Sequence, residues 1–241
     1  MKKHIPNTLT CCNLLCGCFA TGYAFLAASS YTLSALALSF TLIVCGAVFD
    51  FFDGFVARLL NVSSPIGKEL DSLADVVTFG LAPSTIVFAL FANILPHDYW
   101  WVGVVAFLMA AFSALRLAKF NLDSRQTMGF IGMPTPANAL FWGAVALTIL
   151  QHDEFVQSHV EAVCVLMGVG VLLCCWLLVC EVPMFALKFH DFSWAHNRLR
   201  YSFILASAAI IVMAGWGGLA LVVVLYILLS VLQGKSNIGK A

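Results

Sequence analysis

The sequence predicts an all-α integral membrane protein, a polytopic helical bundle of about eight transmembrane helices, with six in a core and two at the C-terminal end. Three observations predict this class: 62% of the 241 residues are hydrophobic, only 10% are charged, and the mean hydropathy is +0.97. A soluble domain is typically about 25% charged. The composition therefore excludes an ordinary soluble enzyme, a disordered chain and a basic nucleic-acid-binding protein, and no nucleic-acid partner is expected.

The apolar residues fall into segments long enough to cross a bilayer, which takes about 20 residues of helix. In chain order the predicted spans are 8–28, 33–58, 70–94, 99–121, 136–150, 157–181, 201–215 and 218–233. The first has no small-residue cleavage site followed by a polar chain, so we expect a retained helix and not a signal peptide. Residues 201–233 as one helix would be about 50 Å long, and Gly215-Trp216-Gly217-Gly218 at their centre favours a hairpin of two short helices.

The distribution of basic residues predicts the orientation. Positive residues concentrate on the cytoplasmic side of membrane proteins. With eight spans and an inside N-terminus, every lysine and arginine falls on the inner side: Lys2, Lys3, Arg58, Lys68, Arg116, Lys119, Arg125, Lys188, Arg198, Arg200, Lys235 and Lys240. Six spans would require a surface-lying 201–233 hairpin, and seven would leave Lys235 and Lys240 outside. We expect a protein of a bacterial inner membrane, with both termini and the site on the cytoplasmic side.

Four carboxylates lie near the inner ends of the second and third spans. Asp50 and Asp53 are three residues apart and Asp71 and Asp75 four apart, so each pair shares one helix face. The connector between them carries Ser64-Pro65 and Gly67, which end one helix and begin an antiparallel neighbour. Acidic residues inside membrane helices are costly and are functional candidates.

Carboxylates that converge on one point need compensating positive charge. Oxygen ligands alone select hard cations such as Mg²⁺ or Mn²⁺, and a pair of such ions serves displacement at phosphorus. Gly54 and Ala57 are small enough to let a ligand lie against the second helix, and Arg58 suits a phosphate. The alternative is a structural ion-pair cluster with Arg58 and Lys68, or acids facing a water-filled vestibule.

The spaced pattern resembles the signature of the CDP-alcohol phosphotransferases. Asp50-x2-Asp53-Gly54-x2-Ala57-Arg58-x8-Gly67-x3-Asp71-x3-Asp75 matches all eight positions of that signature. The resemblance implies the helical bundle of that family and the transfer of a phosphatidyl or phosphoalcohol group from a CDP-linked donor to an alcohol, with CMP as the leaving group. It also implies a catalytic core over residues 1–150, with 151–241 as additional transmembrane helices of the same bundle, and a homodimer.

The same resemblance implies roles for individual residues. Two divalent cations, Mg²⁺ or Mn²⁺, would be held by Asp50, Asp53, Asp71 and Asp75, and Asp75 would also act as the general base. The residues implied to bind the CDP donor are Asn7, Thr10, Gly54, Ala57, Arg58, Ser64 and Gly67. Pro6-Asn7-Thr8-Leu9-Thr10 resembles a second, shorter family element, although it is also an ordinary helix start with an early proline and Asn-Thr capping residues.

Three further stretches resemble the membrane-embedded phosphatidylserine synthases within this family: 61–82, 115–121 and 130–139. The resemblance covers about residues 5–145 and implies CDP-diacylglycerol as donor and L-serine as acceptor. Serine needs a cation for its carboxylate, and Arg116 is the first candidate, Lys119 the second, with Asn121 completing the pocket. Alternatively these basic residues only anchor the helix at the headgroups.

Two other functions remain open. The same chemistry could use another alcohol, such as glycerol 3-phosphate or an inositol derivative, although a phosphorylated acceptor calls for a more basic pocket. A cation-coupled transporter would use carboxylates as an ion site, but it predicts two repeated halves. The clustered acids occur only within residues 50–75, without a second copy in the sequence.

Overall fold

The structure is a computed structural model of the full chain, and it describes residues 4–30, 33–62, 64–123, 130–185 and 194–238. In these ranges the chain is helical apart from turns, short connectors and a ladder of two residues per strand. The predicted all-α fold class is confirmed. Of the basic residues that predict the orientation, Lys2, Lys3, Arg125, Lys188 and Lys240 lie outside the described residues.

Nine α-helices, one π-helical turn, one 3-10 segment and two short strands follow one another in the described ranges. They are α1 (His4–Ser30), α2 (Leu33–Leu59), α3 (Pro65–Asp75), a π-helical turn (Val76–Leu81), α4 (Ala82–Ile94), a 3-10 segment (His97–Phe107), α5 (Leu108–Leu122), β1 (Phe130–Ile131), α6 (Thr135–Gln151), α7 (Asp153–Ser158), α8 (Val160–Val179), β2 (Pro183–Met184) and α9 (Trp194–Ile238).

Within the described ranges, six helical stretches are long and apolar enough to cross a membrane. Helix α6 has 17 residues and falls just short of the length of the others. The last stretch, 197–233, is not straight, because Gly215 has φ 54° and ψ −129°. The rings of Phe203 and Tyr226 lie 6.1 Å apart, whereas a straight helix would separate them by about 35 Å. The expected hairpin at Gly215 is therefore present, and eight crossings remain a prediction.

The helix that begins at Pro65 changes its winding just after Asp75. Ser64 caps its start by accepting a hydrogen bond from the Gly67 amide at 3.0 Å, as an N-cap serine does. The π-helical turn Val76–Leu81 then joins α3 to α4. Pro83, in the first turn of α4, has no amide hydrogen to donate and its ring crowds the preceding turn. The wider π turn lies directly before this proline and rotates the faces of α3 and α4 relative to each other.

Thr78 is the point where the π turn crosses α1 and α2. A side chain at Gly17 would clash with Thr78 Oγ1, and one at Gly46 would lie 2.5 Å from Thr78 Cγ2. Thr78 Oγ1 donates a hydrogen bond to the Asn13 carbonyl at 2.9 Å. The two glycines thus let three backbones approach closely, as small residues do in membrane helix packing, and this contact lies one turn from Asp75.

Candidate active site

Three carboxylates from α2 and α3 converge at one end of the bundle. Asp50, Asp53 and Asp71 each offer an oxygen within 4.8 Å of the others. Asp50 and Asp71 are close enough to share a side-chain hydrogen bond. The i, i+3 spacing places Asp50 and Asp53 on one face of α2. Both α2 and α3 pack against α1, and in this arrangement the acids of the two helices reach the same point.

Asp75 lies beside this group but has a different partner. Its carboxylate is buried, with 9% of the residue exposed, and its Oδ1 accepts a hydrogen bond from Asn13 Nδ2 at 3.2 Å. It interacts electrostatically with Asp50, Asp71 and Arg116. Asp75 therefore borders the three-carboxylate group on one side and a buried arginine on the other.

Thr10 positions Asp53. Its hydroxyl lies 2.6 Å from Asp53 Oδ2 and 3.1 Å from the Pro6 carbonyl oxygen, and both side chains are buried. A hydroxyl that donates to a carboxylate oxygen restricts the direction of the remaining lone pairs. Outer contacts of this kind orient the ligands of metal sites.

The three-carboxylate group has the chemistry of a divalent-cation site. Asp71 Oδ1 is buried and has no hydrogen-bond partner among the described residues. A buried carboxylate oxygen without a partner is costly, and so are three acidic groups whose oxygens lie within 4.8 Å of one another. An oxygen-only donor set of this kind fits a hard cation. Asp50, Asp53 and Asp71 are the residues that could hold it.

A cavity of about 260 Å³ opens directly on this group. Six of the seven residues expected to bind the donor line it together with two of the acids. Its lining consists of Pro6, Asn7, Thr10, Asp53, Gly54, Ala57, Val62, Ser64, Gly67, Lys68 and Asp71. Arg58 does not line this cavity; it borders an adjoining groove that also includes Ala57.

Small residues and a helix start shape the cavity for an anion. A side chain at Gly54 would meet nothing within 4 Å, so α2 presents bare backbone there. At Gly67 a Cβ would lie 3.0 Å from Ser64 Oγ and 3.1 Å from Asn7 Oδ1. Ser64, Gly67 and Lys68, from the start of α3, line this space, and Lys68 adds a positive charge. A helix N-terminus with such a cation is suited to phosphate groups.

The residues expected to contact serine divide into two sets. Arg116 is 7% exposed, its guanidinium lies 5.3 Å from the Phe120 ring centre, and it interacts electrostatically with Asp75 and Tyr226. Arg116 and Lys119 both line a second cavity of about 40 Å³. Asn121 does not, because its amide donates to Ser72 Oγ at 2.8 Å.

Some residues of the site were not anticipated from the sequence. Asn13 is fully buried and holds Asp75, Lys68 lines the donor cavity, and Thr78 ties the π turn to α1. Asn13 had a signal, since an amide in the middle of an apolar span needs a partner. No sequence signal indicated Thr78, because its role depends on a π turn that no residue pattern predicts.

Comparison with known proteins adds an independent finding. The family model described as CDP-alcohol phosphatidyltransferase matches residues 3–176. Three relatives named CDP-diacylglycerol–serine O-phosphatidyltransferase come from Bacillus subtilis, Helicobacter pylori and Methanocaldococcus jannaschii. The first is 39% identical over 135 residues, 56% of this chain and 70% of the relative. The second is 35% identical over 161 residues, which are 65% of this chain and 62% of the relative. The third is 41% identical over 108 residues, which are 45% of this chain and 50% of the relative. The chain thus matches between 50% and 70% of the length of these relatives.

Proposed function

The chain belongs to the CDP-alcohol phosphatidyltransferase family, a family of phosphotransferases, and from this premise we propose that it transfers a phosphatidyl group from CDP-diacylglycerol to the hydroxyl of L-serine. The observation that carries the proposal is the convergence of three carboxylates beside a cavity with a helix start and Lys68. The three relatives named for this reaction support serine as acceptor.

In the proposed reaction the donor diphosphate lies in the 260 Å³ cavity. The Lys68 ammonium binds it at the positive end of the α3 dipole, while Gly54 leaves room for it against α2. Asp50, Asp53 and Asp71 would hold the two divalent cations, Mg²⁺ or Mn²⁺, and Asp75 lies beside these three residues. When bound, such cations neutralise the diphosphate and make CMP a better leaving group.

Asp75 is the general base of the proposal. It accepts the proton of the serine hydroxyl as the serine oxygen forms a bond to the lipid-side phosphorus, and the bond from that phosphorus to CMP breaks. Asn13 keeps one Asp75 oxygen oriented, which leaves the other for the incoming hydroxyl. A base positioned in this way contributes about 10²–10⁴-fold to a rate.

Arg116 holds the serine carboxylate in the proposal, with Lys119 as a second cation. The electrostatic contact of Arg116 with Asp75 supports an acceptor bound between the two. Asn121, the third residue expected to contact serine, is engaged with Ser72 and donates nothing to this cavity. We therefore assign Asn121 the role of joining α5 to α3.

The charge distribution along the sequence supports the proposed orientation in the membrane. We propose an integral protein of a bacterial inner membrane with both termini and the site on the cytoplasmic side, and a homodimer as the family resemblance implies. We also retain residues 1–150 as the catalytic core and 151–241 as additional helices of the same bundle. The apolar helices of the described ranges support the membrane assignment.

An assay of the purified protein tests the function. CDP-diacylglycerol and Mn²⁺ or Mg²⁺ are mixed with labelled serine, glycerol 3-phosphate or inositol, and both CMP and the lipid product are identified. We expect phosphatidylserine and CMP in equal amounts. Product from glycerol 3-phosphate but not from serine would overturn the acceptor alone. No CMP release with any alcohol would overturn the transferase and favour the transporter alternative.

A further inference from the structure

The second cavity, at the ends of α5 and α8, is lined by charges of both signs. Arg116 and Lys119 lie on α5, Asp123 directly follows α5, and Glu181 follows α8. The remaining lining is apolar or backbone. Glu181 lies outside the stretches that resemble phosphatidylserine synthases.

The cavity runs from an exposed mouth to a buried end. Lys119 and Glu181 are exposed, whereas Arg116 is 7% exposed and forms the buried end. Because Arg116 also interacts with Asp75, the buried end of the cavity lies toward the proposed general base. At about 40 Å³ the cavity has room for only one end of a small molecule. The charged end would lie between the two acids and the two bases, with the rest of the molecule directed toward Asp75.

The backbone on both sides of Glu181 is held by the segment that precedes α6. The Met133 amide donates to the Leu177 carbonyl at 2.8 Å and the Gly132 amide to the Val182 carbonyl at 2.9 Å. Gly132 has φ +76°, and a Cβ there would lie 2.7 Å from the Leu178 carbonyl oxygen. Glu181 is therefore carried by a fixed connector, with its position relative to α5 set by backbone hydrogen bonds.

We infer that Glu181 receives the ammonium group of the acceptor amino acid and is thereby a specificity-determining residue for the proposed reaction, on which this inference rests. An α-amino acid needs a cation for its carboxylate and an anion for its ammonium group. Arg116 and Glu181 line one cavity and supply both. An acceptor that carries a phosphate and no positive group would meet the Glu181 carboxylate with repulsion, which is how unwanted partners are rejected.

The experiment compares serine with 3-hydroxypropanoate, which is serine without its amino group, using purified full-length protein with CDP-diacylglycerol and Mn²⁺. For Glu181→Gln we expect KM for serine to rise about tenfold or more, the scale of a hydrogen bond to a charged group. We also expect the preference for serine over 3-hydroxypropanoate to fall by a similar factor. KM for CDP-diacylglycerol stays unchanged, which shows that the variant is folded.

Matched variants keep the test decisive. Glu161→Gln makes the same change at the other end of α8, where Glu161 is exposed, and leaves both Michaelis constants unchanged. Glu181→Asp, which keeps the charge, retains most of the preference for serine even if Glu181→Gln folds poorly.

Three results would overturn the inference, and they are distinguishable. Wild-type protein that uses serine, together with a Glu181→Gln variant of unchanged KM and unchanged preference, refutes the role of Glu181 alone. The same holds if Asp123→Asn shows the loss and Glu181→Gln does not. Wild-type protein that releases CMP with another alcohol but never with serine refutes the proposed function, and the role of Glu181 with it.

Discussion

At the level of single residues, Asp75 differs from the other three carboxylates in its partners. Its oxygen accepts from the Asn13 amide, and Arg116 is its nearest basic neighbour in electrostatic terms. Asp50, Asp53 and Asp71 instead face one another. One group of carboxylates is thus arranged to hold positive charge, while the fourth is oriented singly, as a proton acceptor must be.

Replacing Asp75 tests that division of roles. For Asp75→Asn we expect CMP release to fall by about 10²–10⁴-fold, because the amide cannot accept the acceptor's proton. Mn²⁺ binding, measured directly by electron paramagnetic resonance, is largely retained, since the other three carboxylates remain. Asp98→Asn, at an exposed position, is the control with wild-type turnover. Near-normal turnover of Asp75→Asn would refute Asp75 as the base.

Thr10 permits a second test at this scale. Thr10→Val keeps the shape of the side chain but removes the hydroxyl that lies 2.6 Å from Asp53. We expect Mn²⁺ affinity to drop by about 10–100-fold, the usual effect of losing an outer contact of a metal ligand. Direct Mn²⁺ binding and the Mn²⁺ concentration for half-maximal activity are the measurements.

Thr8→Val is the matched control for Thr10→Val. Thr8 lies on the same helix, is exposed, and its hydroxyl donates to the His4 carbonyl at 2.9 Å. Its replacement leaves Mn²⁺ binding unchanged. Equal Mn²⁺ affinity in the Thr10 variant and the wild type would show that Asp53 needs no orientation by Thr10.

At the level of elements, the crossing of α1, α2 and the π turn determines the position of Asp75 along the axis of the bundle. The π turn begins directly after Asp75, and Thr78 packs into the space left by Gly17 and Gly46. Single π turns in helices occur frequently at functional sites. Here the turn rotates α4 relative to α3, so that the acids of α3 face α2 while the buried face of α4 packs in the core.

Gly17→Ala tests the crossing. The new methyl group would lie 2.7 Å from Thr78 Cα and 2.8 Å from its amide nitrogen, so backbone must move. We expect the free energy of unfolding to fall by about 1–3 kcal/mol, as at other overpacked positions. The measurement is the midpoint of thermal unfolding in detergent, which should be lower. Gly22→Ala, on the same helix with nothing within 4 Å, is the control. Equal midpoints for the two variants would contradict the close packing of the three backbones.

At the level of the whole molecule, charge and hairpin together predict the topology. The two halves of α9 are antiparallel and meet at Gly215. We therefore expect α9 to cross the membrane twice, so that its C-terminal end returns to the side of the active site. Arg198 and Arg200 at its start are consistent with an inner-side entry.

Reporter fusions test this topology. Green fluorescent protein fused after Ala241 should fluoresce, because that end is expected in the cytoplasm. Alkaline phosphatase inserted after Asp98 or at Gly217 should be active, because both positions are expected outside. A phosphatase-active fusion after Ala241 would contradict the inside C-terminus and with it the eight-span arrangement.

Much of the fold and of the site could be predicted from local patterns. Two such patterns do not depend on distant residues. One is the spacing within each pair of acids, Asp50 with Asp53 and Asp71 with Asp75, which is a property of a single helix turn. The other is the helix start at Ser64-Pro65, which is a property of a single connector. The glycines at 215, 217 and 218 likewise predicted the hairpin. What could not be predicted is which residues reach these positions from far along the chain, such as Asn13 on Asp75 or Glu181 beside Arg116.

The sequence by itself determined that this is a polytopic membrane protein with four clustered acids, because hydropathy and helical periodicity are local and the bilayer demands long apolar segments. The tertiary structure decided how those acids divide, three facing one another and one held by Asn13, and that the chain beyond residue 150 contributes Glu181 to a cavity with Arg116. The reason is that contacts between distant helices depend on the close approach of small residues such as Gly17, Gly46 and Gly132, which only the packed bundle brings together.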